Sequence, residues 1–113
     1  MTDAEIRSAA NALKTAKACL SGEIGAIEAC WALSGFAFDR NQFLSTEDAN
    51  LFIGIQSETD ALPVGSLKNN WHADFLPAKL DELKRYESAV SMDVRDACGR
   101  LVDALETAGV ESL

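Results

Sequence analysis

A fifteen-residue segment from Ile24 to Phe38 contains one charged residue, Glu28, and is otherwise apolar, glycine or serine. A segment that is apolar on nearly all sides predicts a helix at the centre of a helical domain. On a helix with about 100° per residue, its large side chains fall within about 60° of one another; they are Ile24, Ile27, Trp31 and Phe38. Glu28 lies about 40° from Ile24, next to this arc. The pattern therefore predicts that Glu28 faces the core, where its carboxylate must be paired, hydrogen-bonded or protonated.

Length and composition limit the chain to one ordinary domain. Its 113 residues include 48% hydrophobic side chains and only two prolines, which is enough to bury one core without disulfides or metals. We therefore expect a single helical domain over residues 1–113. The apolar segment is shorter than the roughly 20 residues that cross a bilayer, and the first residues lack the basic leader of a signal peptide. The sequence thus predicts a cytoplasmic protein that does not enter a membrane.

Capping signals and apolar spacing divide the first part of the chain into helices. Thr2 and Glu5 match a capping box, and Ser21-Gly22 is a natural helix end. These signals predict a first helix between them. The apolar segment predicts a second helix from about Glu23 to Phe38, which we expect to be the central one.

The second part of the chain begins with another cap, formed by Ser45 and Asp48. The segment Leu51–Ile55 fits either a helix or a short strand, and we favour a helix because no partner strand is evident. From Pro77 onward one apolar stripe continues for about thirty residues, which predicts one long helix or two helices broken near Ser88–Ser91. The whole sequence predicts an all-α fold, an irregular bundle of four to five helices with a long C-terminal helix and one ordered loop.

The ordered loop is predicted between Gln56 and Trp71, where short polar residues precede Pro63 and Gly65. Proline disfavours helical geometry in its predecessor, and glycine permits a tight turn. A loop of this length in a small helical domain is usually a binding segment or a compact Ω-loop. Two interpretations follow: the loop carries a binding site, or its polar residues cap helix ends while its apolar residues pack beneath them.

Three cysteines, Cys19, Cys30 and Cys98, lie far apart in the sequence among apolar neighbours. Their odd number and the absence of a Cys-x-x-Cys pair argue against a disulfide framework. The chain has one histidine, which offers little help in binding a metal. We expect all three cysteines to be reduced, buried thiols.

The balance of charge is strongly acidic. The chain has ten basic and eighteen acidic residues, which gives it a formal net charge of −8 at pH 7. This balance disfavours nucleic-acid binding and favours a basic protein partner, which long-range electrostatic attraction would steer toward the chain.

A candidate binding site combines the predicted buried glutamate with polar residues of the loop. A carboxylate pair beside an imidazole can transfer protons or hold a metal ion. The chain contains no zinc-binding, phosphate-binding or nucleophile-elbow motif, so the sequence predicts no catalytic residue, no metal and no cofactor. The binding candidates are Glu28, Glu58, Asp60, Lys68, Trp71 and His72.

Two motifs carry a resemblance to a protein family. They are Gly22-Glu23-Ile24-Gly25 with Ile27-Glu28, and Ser57-Glu58-Thr59-Asp60-Ala61-Leu62-Pro63-Val64-Gly65 with Trp71. In these motifs the chain resembles a small uncharacterised bacterial family of single-domain helical proteins, over about residues 22–101. Members of that family usually carry arginine where this chain has Lys68. The resemblance implies a bacterial, helical, single-domain protein, and it implies no activity.

Two classes of function are consistent with the sequence. The first is a non-catalytic protein-interaction module, such as an immunity or antitoxin-type protein whose acidic surface blocks a basic toxin. The second is a small-ligand or metal-binding pocket, catalytic or not, built from Glu28, Glu58, Asp60 and His72. The pocket requires these side chains to converge on an open cavity, whereas the module does not. The long final helix also allows a homodimer.

Overall fold

The computed structural model describes residues 2–39, 41–60 and 76–111, which form four helices and no strand. The helices are α1 (Asp3–Ser21), α2 (Ala26–Phe38), α3 (Thr46–Thr59) and α4 (Leu76–Thr107). The predicted all-α bundle with a long C-terminal helix is therefore confirmed for this part of the chain. Leu51–Ile55 is helical, and α4 continues without a break through Ser88–Ser91, which decides both alternatives that the sequence left open.

Local capping bonds define the helix ends. Thr2 Oγ1 accepts a hydrogen bond from the Glu5 N–H at 3.2 Å, and the Glu5 carboxylate accepts one from the Thr2 N–H in return. Ser45 Oγ accepts from the Asp48 N–H at 3.0 Å at the start of α3. Gly22 ends α1 in the left-handed region with φ 85°, a conformation that glycine adopts without steric cost. The predicted starts of α1 and α3 and the predicted end of α1 are confirmed.

The central position of α2 is also confirmed, since this helix contacts α1, α3 and α4. It begins at Ala26 instead of near Glu23, because residues 22–25 form the turn from α1 and Gly25 is the N-cap. The most extensive contacts join α2 to α3 and α1 to α4. Large side chains in the core are surrounded by buried alanines and thiols; the large ones include Leu13, Ile27, Leu33, Phe52 and Leu101.

The two halves of the 32-residue helix α4 contribute unequally to the hydrophobic core. Its second half supplies fully buried residues such as Val94, Cys98 and Leu105. The described side chains of its first half reach the core only through half-buried residues such as Leu83 and Tyr86. Its acidic side chains are exposed apart from the half-buried Glu87, as expected for a solvated face. None of the helices in the described ranges combines the length and apolarity that a membrane span requires.

The prediction that a loop begins at Gln56 and runs to Trp71 is wrong about where the loop starts. Residues 56–59 form the last turn of α3, which ends at Thr59. Short polar side chains often compete with helix formation, but the Thr59 hydroxyl instead donates to the carbonyl oxygen of Ile55 one turn back. Residues 61–71 of the predicted loop lie outside the described residues.

Candidate functional site

Glu28 is exposed on α2, so the prediction that it faces the core is wrong. The centre of the buried side of α2 lies about 170° around the helix from Glu28. Most residues on that side are small, and small side chains let neighbouring helices approach closely. The prediction failed because it placed the core beneath the largest side chains, whereas Phe38 is 70% exposed and Trp31 only half-buried. The buried side consists of Ala26, Ile27, Ala29, Cys30, Leu33 and Ala37.

Trp31 and Thr59 join α2 to the end of α3. Trp31 Nε1 donates a hydrogen bond to Thr59 Oγ1 at 2.8 Å, and the Thr59 hydroxyl donates to the Ile55 carbonyl oxygen at 2.7 Å. Thr59 is fully buried, and these two bonds satisfy its hydroxyl as both acceptor and donor. Thr59, a member of the second sequence motif, therefore has a structural role.

Glu58 and Tyr86 join the end of α3 to α4. The Tyr86 hydroxyl donates a hydrogen bond to the Glu58 carboxylate. Burial of the phenol and its bond to Glu58 raise the pKa of Tyr86 to about 12, so the hydroxyl keeps its proton at neutral pH. Asp60, in contrast, is exposed just beyond the end of α3. Of these two binding candidates, Glu58 contributes to the α3–α4 contact and Asp60 faces solvent.

The other three binding candidates, Lys68, Trp71 and His72, lie outside the described residues. The structure places Glu58 and Asp60 at the end of α3 that contacts Trp31, and it places Glu28 one turn before Trp31 on α2. Within the described ranges, no group of three histidine, cysteine or acidic side chains is arranged to hold a metal ion. The site that combines all six residues stays a prediction.

The first sequence motif forms the turn between α1 and α2. A Cβ at position 25 would displace the carboxylate end of the Glu87 side chain from α4. A carboxylate near the start of a helix interacts favourably with the positive end of the helix dipole. Gly22 and Gly25 thus have packing roles, since Gly22 reverses the chain and Gly25 admits Glu87 to the N-terminus of α2.

Sequence analysis missed an ion pair between α3 and α4. Arg100 Nε and Nη2 donate to the two carboxylate oxygens of Asp48 at 2.9 and 2.8 Å. Asp48 is buried, whereas most of the Arg100 side chain is exposed. The hydrogen bonds from Arg100 hold the pKa of Asp48 below its ordinary value. The two residues are 52 positions apart, and no local pattern in the sequence links them.

An acidic groove lies beside this ion pair, between α3 and α4. Its volume is about 470 Å³, and its lining includes Glu47, Asp48, Asn50, Leu51, Asp93, Asp96 and Arg100. Because Arg100 is engaged by Asp48, three exposed carboxylates remain that form no ion pair with a basic side chain in the described ranges. They belong to Glu47, Asp93 and Asp96. The acidic groove therefore offers a negative surface to a cationic group.

An apolar groove adjoins the acidic groove at Asn50, which lines both. Its volume is about 440 Å³, and it lies between the end of α2 and the start of α3. Its lining includes no charged side chain among the described residues, and the highly exposed Phe38 forms part of its wall. Its lining is Ala37, Phe38, Asn41, Leu44, Ser45, Thr46, Ala49, Asn50 and Ile53.

All three cysteines are free and buried, as predicted. Cys19 on α1 and Cys98 on α4 belong to the same buried cluster. Hydrogen bonding with the Cys98 thiol, assisted by the nearby Arg95 guanidinium and opposed by burial, lowers the pKa of Cys19 to about 7. The same hydrogen bonding and burial raise the pKa of Cys98, and burial raises the pKa of Cys30 to about 12. The three thiols therefore differ in their readiness to ionise.

No family model matches the chain, and comparisons with curated proteins and with solved structures likewise find no match. The resemblance to a bacterial family therefore stays a prediction.

Proposed function

We propose that the chain is a non-catalytic protein-interaction module that binds a basic protein in the cytoplasm through its acidic and apolar grooves. The observation that carries this proposal is the adjacency of the two grooves, which share Asn50. A module of this kind belongs to the immunity or antitoxin-type class, in which an acidic protein covers the functional surface of a basic toxin.

The apolar groove supplies the anchor of such an interface. Binding energy at protein interfaces concentrates in a few large side chains that pack into pockets, with aromatic residues prominent among them. Phe38 is an aromatic residue with 70% of its surface exposed, at the edge of a groove whose described lining carries no charged side chain. An apolar side chain of the partner would enter this groove and cover Phe38.

The acidic groove supplies the charge complementarity. Its three unpaired carboxylates lie on a chain whose net charge is −8, and complementary charge raises the association rate and excludes wrong partners. Lysine or arginine side chains of the partner would lie beside Glu47, Asp93 and Asp96. Binding of this type weakens as salt rises, because ions screen exposed charges.

A photo-crosslinking amino acid at position 38 tests the proposal in cells of the source organism. We expect it to capture one strongly basic protein. The same amino acid at Asn11, which is exposed on α1, should not capture that protein. Capture of an acidic protein at position 38, or equal capture of the basic protein at both positions, would contradict the proposal.

Charge-matched variants then test the acidic groove with the purified basic partner. Asp93→Asn combined with Asp96→Asn should slow association about tenfold at low salt, because it removes two carboxylates from the groove. Asp103→Asn combined with Glu111→Gln removes the same net charge from exposed residues outside the groove and should have a much smaller effect. Equal slowing by the two double variants would mean that only the net charge of the chain controls the association rate. It would exclude the groove as the binding site.

A further inference from the structure

Helix α3 forms the ridge between the two grooves, because its residues line both of them. Ala49 and Ile53 line the apolar groove. Glu47 and Leu51 line the acidic groove on the other side of the helix. Asn50 lies midway between these pairs, about 170° around α3 from the centre of its buried side, and lines both grooves. A partner that fills both grooves at once must therefore cross α3 over Asn50.

Gly54 lies on the same ridge, one turn after Asn50. Its backbone does not adopt a positive φ, and a Cβ at this position would meet no other side chain of the described residues within 4 Å. Glycine weakens the interior of a helix relative to alanine, and the described contacts of α3 do not require it here. The missing side chain lowers the ridge, so that a second helix can approach α3 closely.

We propose that the basic partner binds through one amphipathic helix that crosses α3 at Asn50 and Gly54, with an apolar side chain in the apolar groove and a lysine or arginine in the acidic groove. The two grooves differ in the side chain that each accepts. The described lining of the apolar groove carries no charged side chain, whereas Glu47, Asp93 and Asp96 give the acidic groove three unpaired carboxylates. This inference rests on the proposed function, since it specifies which part of the basic partner occupies the grooves.

A helix is the element that fits this surface. A strand of a partner binds by extending the edge of a sheet, and the described residues of this chain form no strand. A proline-rich segment binds in a groove lined by several aromatic side chains, whereas Phe38 is the single aromatic residue that the two grooves have in their described linings. A helix presents side chains three, four and seven residues apart from one face, which suits a groove on each side of a helical ridge.

The width of α3 determines the spacing of the two side chains in the partner. The grooves lie on opposite sides of a helix whose diameter with side chains is about 10 Å. A helix rises about 1.5 Å per residue, so about seven residues separate the two side chains. Seven residues are two turns, which places both side chains on the same face. The inferred motif is a large apolar residue and a lysine or arginine two turns apart on an exposed helix of the basic partner.

Photo-crosslinking from both sides of the ridge tests this motif in cells of the source organism. The photo-crosslinking amino acid at position 38 and, in a second variant, at position 47 should capture the same basic protein. Mass spectrometry should locate both crosslinked residues on one helix of that protein, about six to eight positions apart. Crosslinks to two separate helices, or to a strand of the partner, would overturn this inference and leave the binding of a basic protein in place. Capture of no basic protein at either position would contradict the proposed function itself.

Size variants of Gly54 test the crossing point with the purified basic partner. Gly54→Gln places a neutral side chain on the ridge and should weaken binding about tenfold, whereas Gly54→Ala should stay within about threefold of the parent. Both variants should unfold at a higher urea concentration than the parent, because they remove a glycine from a helix interior, so a loss of binding would not reflect a loss of folding.

Gly99→Gln is the matched control for the size variants. Gly99 is also a helix-interior glycine with open space at its Cβ, and it lies about 90° around α4 from the side that lines the acidic groove. Gly99→Gln should bind like the parent. Parent-like binding by Gly54→Gln, or equal weakening by Gly54→Gln and Gly99→Gln, would overturn the crossing over α3. Slowed association of the Asp93→Asn and Asp96→Asn double variant would in that case still support the acidic groove as the binding site.

Discussion

Replacement of Thr59 by valine isolates the hydrogen bonds that join the end of α3 to α2. Thr59 is fully buried, and its hydroxyl is 2.8 Å from Trp31 Nε1 and 2.7 Å from the Ile55 carbonyl oxygen. Valine has nearly the same shape as threonine, so the change removes the hydroxyl and leaves no cavity. The cost of Thr59→Val is therefore mainly the cost of the two bonds.

The magnitude follows from those bonds. A neutral hydrogen bond contributes about 0.5 to 1.5 kcal/mol net, and a buried donor left without a partner costs about 1 to 3 kcal/mol. Trp31 is only half-buried, so water can partly replace Thr59 at the indole N–H. The unpaired donor therefore costs about 1 kcal/mol, the lower end of its range. We expect a loss of about 2 kcal/mol in the free energy of unfolding. With a urea slope of roughly 1 to 3 kcal/mol per molar, the midpoint falls by about 1 M.

Urea unfolding followed by far-ultraviolet circular dichroism measures this loss, because the signal comes from the whole helical fold and not from Trp31 alone. Thr46→Val is the matched control, since Thr46 is exposed on the first turn of the same helix; it should change stability by less than about 0.5 kcal/mol. A double-mutant cycle with Trp31→Phe should give a coupling energy of about 1 kcal/mol. If Thr59→Val unfolds at the parent's midpoint with the parent's slope, the Trp31–Thr59 bond does not stabilise the α2–α3 contact.

Two further predictions concern charged residues. Glu28→Ala and Glu28→Gln should each change the free energy of unfolding by less than about 0.5 kcal/mol in urea unfolding, because Glu28 is exposed; a loss several times larger would mean that Glu28 is a buried anchor after all. Arg100→Met should lower the stability at pH 7, because it removes the partner of the buried Asp48 carboxylate. The folded-state pKa of Asp48 lies below its ordinary value of 3.8, so the pair's contribution is present above that value and is lost as pH falls through the lower folded pKa. Unfolding curves of the parent and Arg100→Met should therefore converge in acid, and a difference that persists at low pH would contradict the assigned ion pair.

Helix ends were predictable because their signals are local. The capping bonds of Thr2 with Glu5 and of Ser45 with Asp48 span three residues, so adjacent sequence contains both partners. The left-handed Gly22 is equally local. The sequence therefore predicted where α1 begins and ends and where α3 begins.

Contacts between distant residues were not predictable in the same way. The bond from Trp31 to Thr59 spans 28 positions, and the ion pair of Arg100 with Asp48 spans 52. Such pairs depend on which helix faces which, and helix orientation was predicted from side-chain size. In α2 small residues face the neighbouring helices, so the predicted face was about 120° around the helix from the real one, and Glu28 was assigned to the wrong environment.

The packing of α1 against α4 determines when the fold can be completed during synthesis on the ribosome. The Leu20 carbonyl oxygen accepts its hydrogen bond from Arg95, 75 positions later in the chain. At a translation rate of roughly 5 to 20 residues per second, α1 waits about 4 to 15 s for this part of α4 to be synthesised. During that interval α2 and α3 can already pair, because they are neighbours in the sequence, but the α4-facing side of α1 stays uncovered. The nascent chain therefore exposes an apolar helix surface that chaperones can bind until α4 leaves the exit tunnel.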